Sequence, residues 1–367
     1  MNSVSCTATN PRVLSWARES LNVDVNRAAS KALVSEEDLL AFELGSKAPT
    51  LAQLRKLAEL YRQPIATFFL QNVPISVERP RDFRLRRGPL SRETLLSIRR
   101  ARAIQTFSKE LGESLTPIYW VQDPDDAKNA IGAREWLKFS EENQLRLKDS
   151  RVTFNWLVSR LASLGIDVLV HKYPSSDAKA YCLAEDPPLV VISSNDPYMG
   201  SRLFSLLHEL CHLANGSSGL CNPEENLWDY EQERQCDKFA THFLMPEPLV
   251  RRLVGDSRGS ELTNRVDELS ALIKSSKTAL LIRFEELGLT SPEDTSIKMG
   301  ELRDRSPQKS RGSSSRKSNL LKDSGLRFSN QVFDAYTRDA VSALNASRML
   351  NLNQGTFEEV GTQLGRI

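Results

Sequence analysis

The chain has 367 residues, 40% of them hydrophobic and 26% charged, with 49 basic against 47 acidic side chains. That length accommodates two or three domains with real cores, and a net charge of +2 excludes a chain that is basic enough throughout to mark it as a nucleic-acid binder. Cys6, Cys182, Cys211, Cys221 and Cys236 form neither a disulfide framework nor finger spacing, the first ten residues lack a leader's apolar core, and no stretch nears the roughly 18 apolar residues of a membrane span, so a cytoplasmic protein with no membrane partner is expected.

Residues 11 to about 70 are predicted as five short helices of a helix-turn-helix domain spanning 1–75. Pro11 opens the first, with Val13, Leu14 and Ala17 inward. Asn26 is the expected cap of the second. Ser35, with Asp38 three residues on, starts a third that ends at Gly45, and Thr50 starts the periodic run Leu51 to Tyr61. Ile65 to Leu70 gives a last apolar turn. In such a domain the second helix of the pair meets DNA by its amino end. Here that end is Glu36-Glu37-Asp38, which repels phosphate, so protein contact is the favoured role and DNA contact a weak possibility.

An arginine-rich linker and helix follow over 76–115. Between residues 79 and 102 stand nine arginines against Asp82 and Glu93. Arg84, Arg86 and Arg87 are the residues most suited to grip a phosphate or an acidic partner; the alternative is a helix, Ser91 to about Gly112, whose arginines pair with other parts of the chain.

Residues 116–290 are predicted as an α+β domain. Strands are expected at Ile166–Val170, Tyr181–Ala184 and Leu189–Ser194, whose edge would accept an extended peptide, and His171 is a strand-end residue. An apolar helical run then carries His208-Glu209-Leu210-Cys211-His212. Two imidazoles four residues apart share a helix face, and buried polar groups of this kind need a partner; a divalent cation is the natural one. Catalytic zinc takes three protein ligands and keeps a position open. Glu233, on a second helical run 21 residues past His212, is the expected third ligand. Asp237, four residues on, is expected to orient one ligating histidine through its other ring nitrogen. Glu209 falls beside the metal as general base, taking the proton of a water that attacks a peptide bond. Cys211 and Cys236 are expected as buried, inert thiols, His242 falls off the ligand face, and Tyr198, just before the first helix, is a possible oxyanion donor. One Zn2+ per chain is the expected cofactor.

Beyond 290, residues 291–325 include a run from Pro307 to Ser318 without apolar side chains, predicted as a flexible basic linker. Residues 326–367 form a small helical region, with Phe328, Val332, Phe333, Tyr336, Val341 and Leu344 as its apolar spacing.

These residues resemble the ImmA/IrrE family of metallo-endopeptidases, in its long form with an amino-terminal lambda-repressor-like helix-turn-helix domain. The likeness rests on His208, Glu209 and His212, on Glu233 through Pro246, on Asn10-Pro11 with Leu14 to Arg18, on Pro49 to Leu54, and on Arg81-Asp82-Phe83-Arg84. It continues through Ser275 to Leu280. Cys211 stands where the family usually has Gly, Cys236 where it has Ala, and Asp237 where it often has Asn. The resemblance implies a zincin-like metallopeptidase domain and an intracellular protease whose substrate is a repressor- or antitoxin-like protein, in mobile-element induction or stress response. The alternative is a DNA- or protein-binding transcriptional regulator whose peptidase-like domain is a sensor or structural module.

Overall fold

The computed structural model describes residues 6–75, 80–82, 88–112, 120, 122, 123, 125–221, 230–303 and 315–366. The chain divides into two compact units, Met1–Arg79 with Gly88–Arg100, and Pro80–Arg87 with Ala101–Ile367.

In the first unit the helices are α1 (Pro11–Glu19), α2 (Val25–Ala32), α3 (Glu36–Leu44) and α4 (Leu51–Tyr61), then a 3-10 turn at Ile65–Phe69 and the start of α5 (Arg92–Glu110). Each start has a chemical cause. Asn10, Ser35 and Thr50 accept backbone N–H bonds from the first turns of α1, α3 and α4, and Thr50 forms a reciprocal capping box with Gln53. The expected cap at Asn26 is displaced to Asp24, which accepts from the Arg27 N–H at 2.7 Å; Asn26 is then inside α2, and its amide donates to Glu36. α2 and α3 are joined by Leu33, Val34 and Ser35, with Leu33 in the left-handed region at φ 60, the short turn of a helix-turn-helix-like pair. Leu14, Ala17, Leu54, Leu57, Tyr61 and Phe68 fill the core between the helices.

α5 uses its arginines internally. Arg92 donates twice to the Leu60 carbonyl, at 2.9 and 2.7 Å, and Arg99 donates to the Tyr61 and Arg62 carbonyls at 3.0 and 3.3 Å. They satisfy the carbonyls that α4 leaves open at its carboxyl end. In the second unit Arg102 pairs with Glu185 at 2.8 Å. Arg84, Arg86 and Arg87 lie outside the described residues.

The second unit holds a sheet of β1 (Arg81–Asp82), β2 (Asp167–His171), β3 (Ala180–Leu183), β4 (Leu189–Ser193) and β5 (Gly219–Cys221), in the order β1-β5-β3-β4-β2. β2 runs parallel to β4, β3 antiparallel to both β4 and β5, and β1 parallel to β5. β3 and β4 are therefore interior strands, and the edges of the sheet are β1 and β2. The helices before the sheet are α6 (Asp126–Leu137), α7 (Glu141–Arg146) and α8 (Ser150–Ser163). After β4 come α9 (Met199–Ala214), α10 (Tyr230–Leu244), α11 (Glu247–Val254), α12 (Gly259–Asn264), α13 (Val266–Ile273), α14 (Lys277–Glu286) and α15 (Pro292–Arg303). The chain closes with α16 (Arg316–Ser324), α17 (Leu326–Thr337), α18 (Ala343–Met349) and α19 (Gln354–Gln363).

α9 packs on β3, β4, α8 and α10. Leu203, Leu206, Leu207 and Leu210 of this helix are buried against Phe239 and Phe243 of α10 and the apolar faces of β4 and α8. Every residue of β4 is buried, which requires cover on both faces of the sheet.

The carboxyl-terminal helices belong to this unit. Residues 292–303 and 316–324, at the two ends of the expected flexible linker, are helical: α15 packs on α12 and α14, and α16 and α17 both contact β2, while residues 304–314 of that linker lie outside the described residues. The buried Asp167 carboxylate on β2 accepts from the Arg327 N–H at 2.9 Å and the Phe328 N–H at 3.1 Å, so it caps α17 from another element. His171 ends β2 and bonds the Asp323 carbonyl through Nε2 at 2.9 Å. Gly325, at φ +80, brings its Cα onto the Asp167 carboxylate so closely that a Cβ would overlap it. Asp167→Ala should lower stability by about 1–3 kcal/mol, the cost of stranding buried donors, read as a fall in the urea midpoint; an unchanged midpoint contradicts this role for the cap.

Candidate metal centre

His208 and His212 project from one face of α9, four residues and about one turn apart. Both are buried, and their Nε2 atoms stand 3.2 Å from each other. α10 packs across α9 and brings in Glu233, 96% buried, with one carboxylate oxygen 3.2 Å from His208 Nε2 and the other 3.0 Å from His212 Nε2. Four ligand atoms thus meet within one small space. Donors set about 2.0–2.1 Å from a tetrahedral zinc lie roughly 3.3 Å from one another, and these separations approach that figure.

The far sides of the rings are fixed as well. His208 Nδ1 lies 2.8 Å from the Asp237 carboxylate. His212 Nδ1 lies 3.1 Å from the Ser217 hydroxyl, which accepts from Gln232 Nε2 at 3.0 Å and donates to the His212 carbonyl at 3.2 Å. Both partners suit an Nδ1–H tautomer, which turns the Nε2 lone pairs toward Glu233. Lone pairs and a carboxylate repel at these distances unless a cation or protons stand among them. The donor set therefore fits a divalent cation of the kind imidazole and carboxylate bind.

Charge within the cluster shifts its titration. Burial opposes a charged His208, but the carboxylates of Asp237 and Glu233 outweigh it and hold its pKa well above the ordinary imidazole range. Burial likewise opposes a charged Glu233, yet hydrogen bonds from the two imidazoles push it down to about 2. Glu209 faces the other way: burial, its largest influence, raises its pKa, while the two imidazoles pull against that rise. Its carboxyl group contacts the buried Cys182 thiol of β3, whose own pKa burial and the Glu209 charge push far up.

A third residue type joins the imidazoles. His208, His212 and Cys236 form a buried group whose ligand atoms all lie within 4.8 Å of one another. Cys236 follows Glu233 by three residues on α10, a spacing that puts both toward α9, and its thiol is also part of the apolar core. Cys211 is buried in that core too. Ser217, Gln232 and Cys182 had no signal in the sequence, since none has a periodic or motif relation to the histidines. Tyr198 precedes α9 by one residue and is 52% exposed. Ten residues of helix, about 15 Å of rise, separate it from His208, so the fold does not bring it to the imidazoles as an oxyanion donor must be brought. His242 contacts Arg283 at 3.2 Å instead of the cluster.

Residues 161–285 match the Peptidase_M78 family, described as the IrrE N-terminal-like domain. This stretch holds β2 through β5, both ligand helices and the four helices after them, almost to the end of α14. The second unit carries an ImmA/IrrE-type peptidase domain. Ahead of it lies the all-α region with its helix-turn-helix-like pair. No curated protein and no solved structure matches the chain. A His/His/Cys cluster with Glu233 against both imidazoles, inside an IrrE-type domain, supports a zinc-dependent hydrolase.

A cation entering the IrrE-type cluster must displace the proton that the two carboxylates stabilise on His208. Zinc affinity should therefore rise with pH, and uptake should release protons. Calorimetry in two buffers of different ionisation enthalpy checks this: the apparent binding enthalpies should differ, and equal values contradict it.

Proposed function

We propose that the second unit is a zinc-dependent endopeptidase that cleaves a regulatory protein of the repressor or antitoxin kind. The observation that carries this reading is Glu209: a fully buried carboxylate that feels both imidazoles and Glu233 and is hydrogen-bonded to the Cys182 thiol. A raised pKa makes it a stronger base than an exposed carboxylate. In this reading Glu209 takes the proton of the attacking water and passes it to the departing amine. Zinc, when bound, supplies Lewis-acid polarisation of the carbonyl and acidifies water. Glu233 is the third ligand, Asp237 orients His208, and Cys236 remains an apolar neighbour of the rings.

The assignment of Glu233 over Cys236 follows from distance and chemistry. Its two oxygens lie 3.0 and 3.2 Å from the two Nε2 atoms, while the Cys236 thiol, within 4.8 Å of the same imidazoles, also belongs to the apolar core. Cobalt substitution separates the two. The expected Co2+ protein lacks a sulfur-to-cobalt charge-transfer band in the near ultraviolet, Cys236→Ala leaves its spectrum unchanged, and Glu233→Ala abolishes stoichiometric binding. A strong charge-transfer band lost in Cys236→Ala would replace Glu233 with the thiolate.

For the activity, the substrates to use are repressor- and antitoxin-like proteins encoded in the same genome. The expected result is cleavage by the zinc-loaded chain, no cleavage by Glu209→Gln with one zinc still bound, and no zinc in His208→Ala. Cleavage that survives Glu209→Gln refutes the mechanism.

For the first unit we propose contact with protein, either the substrate or a regulator, in preference to DNA. α3 begins with Glu36, Glu37 and Asp38, and Leu33, Leu40 and Leu44 are 76%, 43% and 81% exposed. Exposed leucines beside carboxylates suit an apolar partner with a basic rim and oppose a phosphate backbone. The full chain should accordingly show no appreciable binding to duplex DNA even at about 50 mM salt, where phosphate contacts are strongest. Binding that falls with a steep log–log slope as salt rises would favour the transcription-regulator alternative.

A further inference from the structure

We infer that Ser217 is a positioning residue of the metal centre: its hydroxyl selects the ring tautomer of His212 and ties that ligand to the helix that carries Glu233. The inference rests on the zinc reading above and extends it to a residue outside the ligand set. Ser217 lies five residues past His212, in the turn that leads from α9 to β5. A serine hydroxyl has one proton and two lone pairs, and all three are used here. The proton goes to the His212 carbonyl at 3.2 Å; one lone pair takes Gln232 Nε2–H at 3.0 Å; the other faces His212 Nδ1 at 3.1 Å.

With its only proton committed to the carbonyl, the hydroxyl can serve Nδ1 only as an acceptor. Nδ1 must then be the protonated nitrogen, and Nε2 presents its lone pair beside Glu233. The Ser217 N–H also donates to the His212 carbonyl, at 2.9 Å, so that carbonyl holds the turn at two points and the hydroxyl cannot swing away without losing three bonds. Gln232 completes the arrangement. It is the residue before Glu233 on α10, so a single hydroxyl joins the ends of the two ligand helices. Asp237 serves His208 through a carboxylate; Ser217 serves His212 through a neutral hydroxyl.

The adjacent Ser218 supplies a control. Its hydroxyl accepts from the Ala184 N–H at 2.7 Å and donates to Glu185 at 3.0 Å, bracing the same turn without touching an imidazole. The test is zinc affinity of the full chain by competition with a chromophoric chelator, together with imidazole 15N shifts of the metal-free protein. Ser217→Ala should weaken zinc about 10- to 100-fold and remove the preference of His212 for the Nδ1–H form. Ser217→Thr, which keeps the hydroxyl, should stay within about threefold of the parent, as should Ser218→Ala. Loss of affinity in Ser218→Ala as large as in Ser217→Ala would mean that the integrity of the turn is what matters, and would overturn the inference. So would an unchanged affinity in Ser217→Ala. If the parent chain takes up no zinc at all, the zinc reading itself fails, a result distinct from either.

Discussion

One carboxylate reaching two imidazoles across a helix–helix contact is the constraint on which the rest depends. Glu233 is buried against His208 and His212, and burial of charge at that density is costly unless every donor and lone pair is matched. The surrounding architecture supplies that matching: a helix held on an interior pair of strands, a second helix packed along it, and a neutral or charged acceptor behind each ring. Without α10 seated on α9, His208 would lose both of its carboxylate partners and His212 the one at its Nε2.

Two of the carboxylates around the rings, Glu233 and Glu209, illustrate how environment divides like groups. Glu233 has two imidazoles against it and is held strongly acidic. Glu209, one residue from His208 in sequence, has its surroundings dominated by desolvation and is made more basic. The same side-chain chemistry thus yields a strongly acidic group against the imidazoles and a more basic one beside them.

Much of this was legible from local pattern. The helix starts at Pro11, Ser35 and Thr50, the paired histidines, and the Glu233–Asp237 face follow from period and capping chemistry, since the forces involved act over one or two turns. What escaped was non-local. Ser217 meets His212 through a turn with no period, Asp167 caps a helix 160 residues away, and α16 is helical although its sequence, poor in apolar residues, favours a loop. The sheet order was equally hidden. β5 is three residues long and signals nothing by itself, yet its pairing with β3 sets that strand inside the sheet. The arginines of α5 mislead in the opposite sense: a run that suggests phosphate is spent, at Arg92 and Arg99, on the open carbonyls of a neighbouring helix.

The cap that Asp167 places on α17 sets an order on the birth of the molecule. Both ligand helices leave the ribosome well before residues 316–337, so the nascent chain can assemble its imidazoles and carboxylate while the outer strand of the sheet is still bare. Only when α16 and α17 emerge is that strand sheathed and Asp167 given its backbone partners. Completion of the second unit therefore waits on a segment made more than a hundred residues after β2.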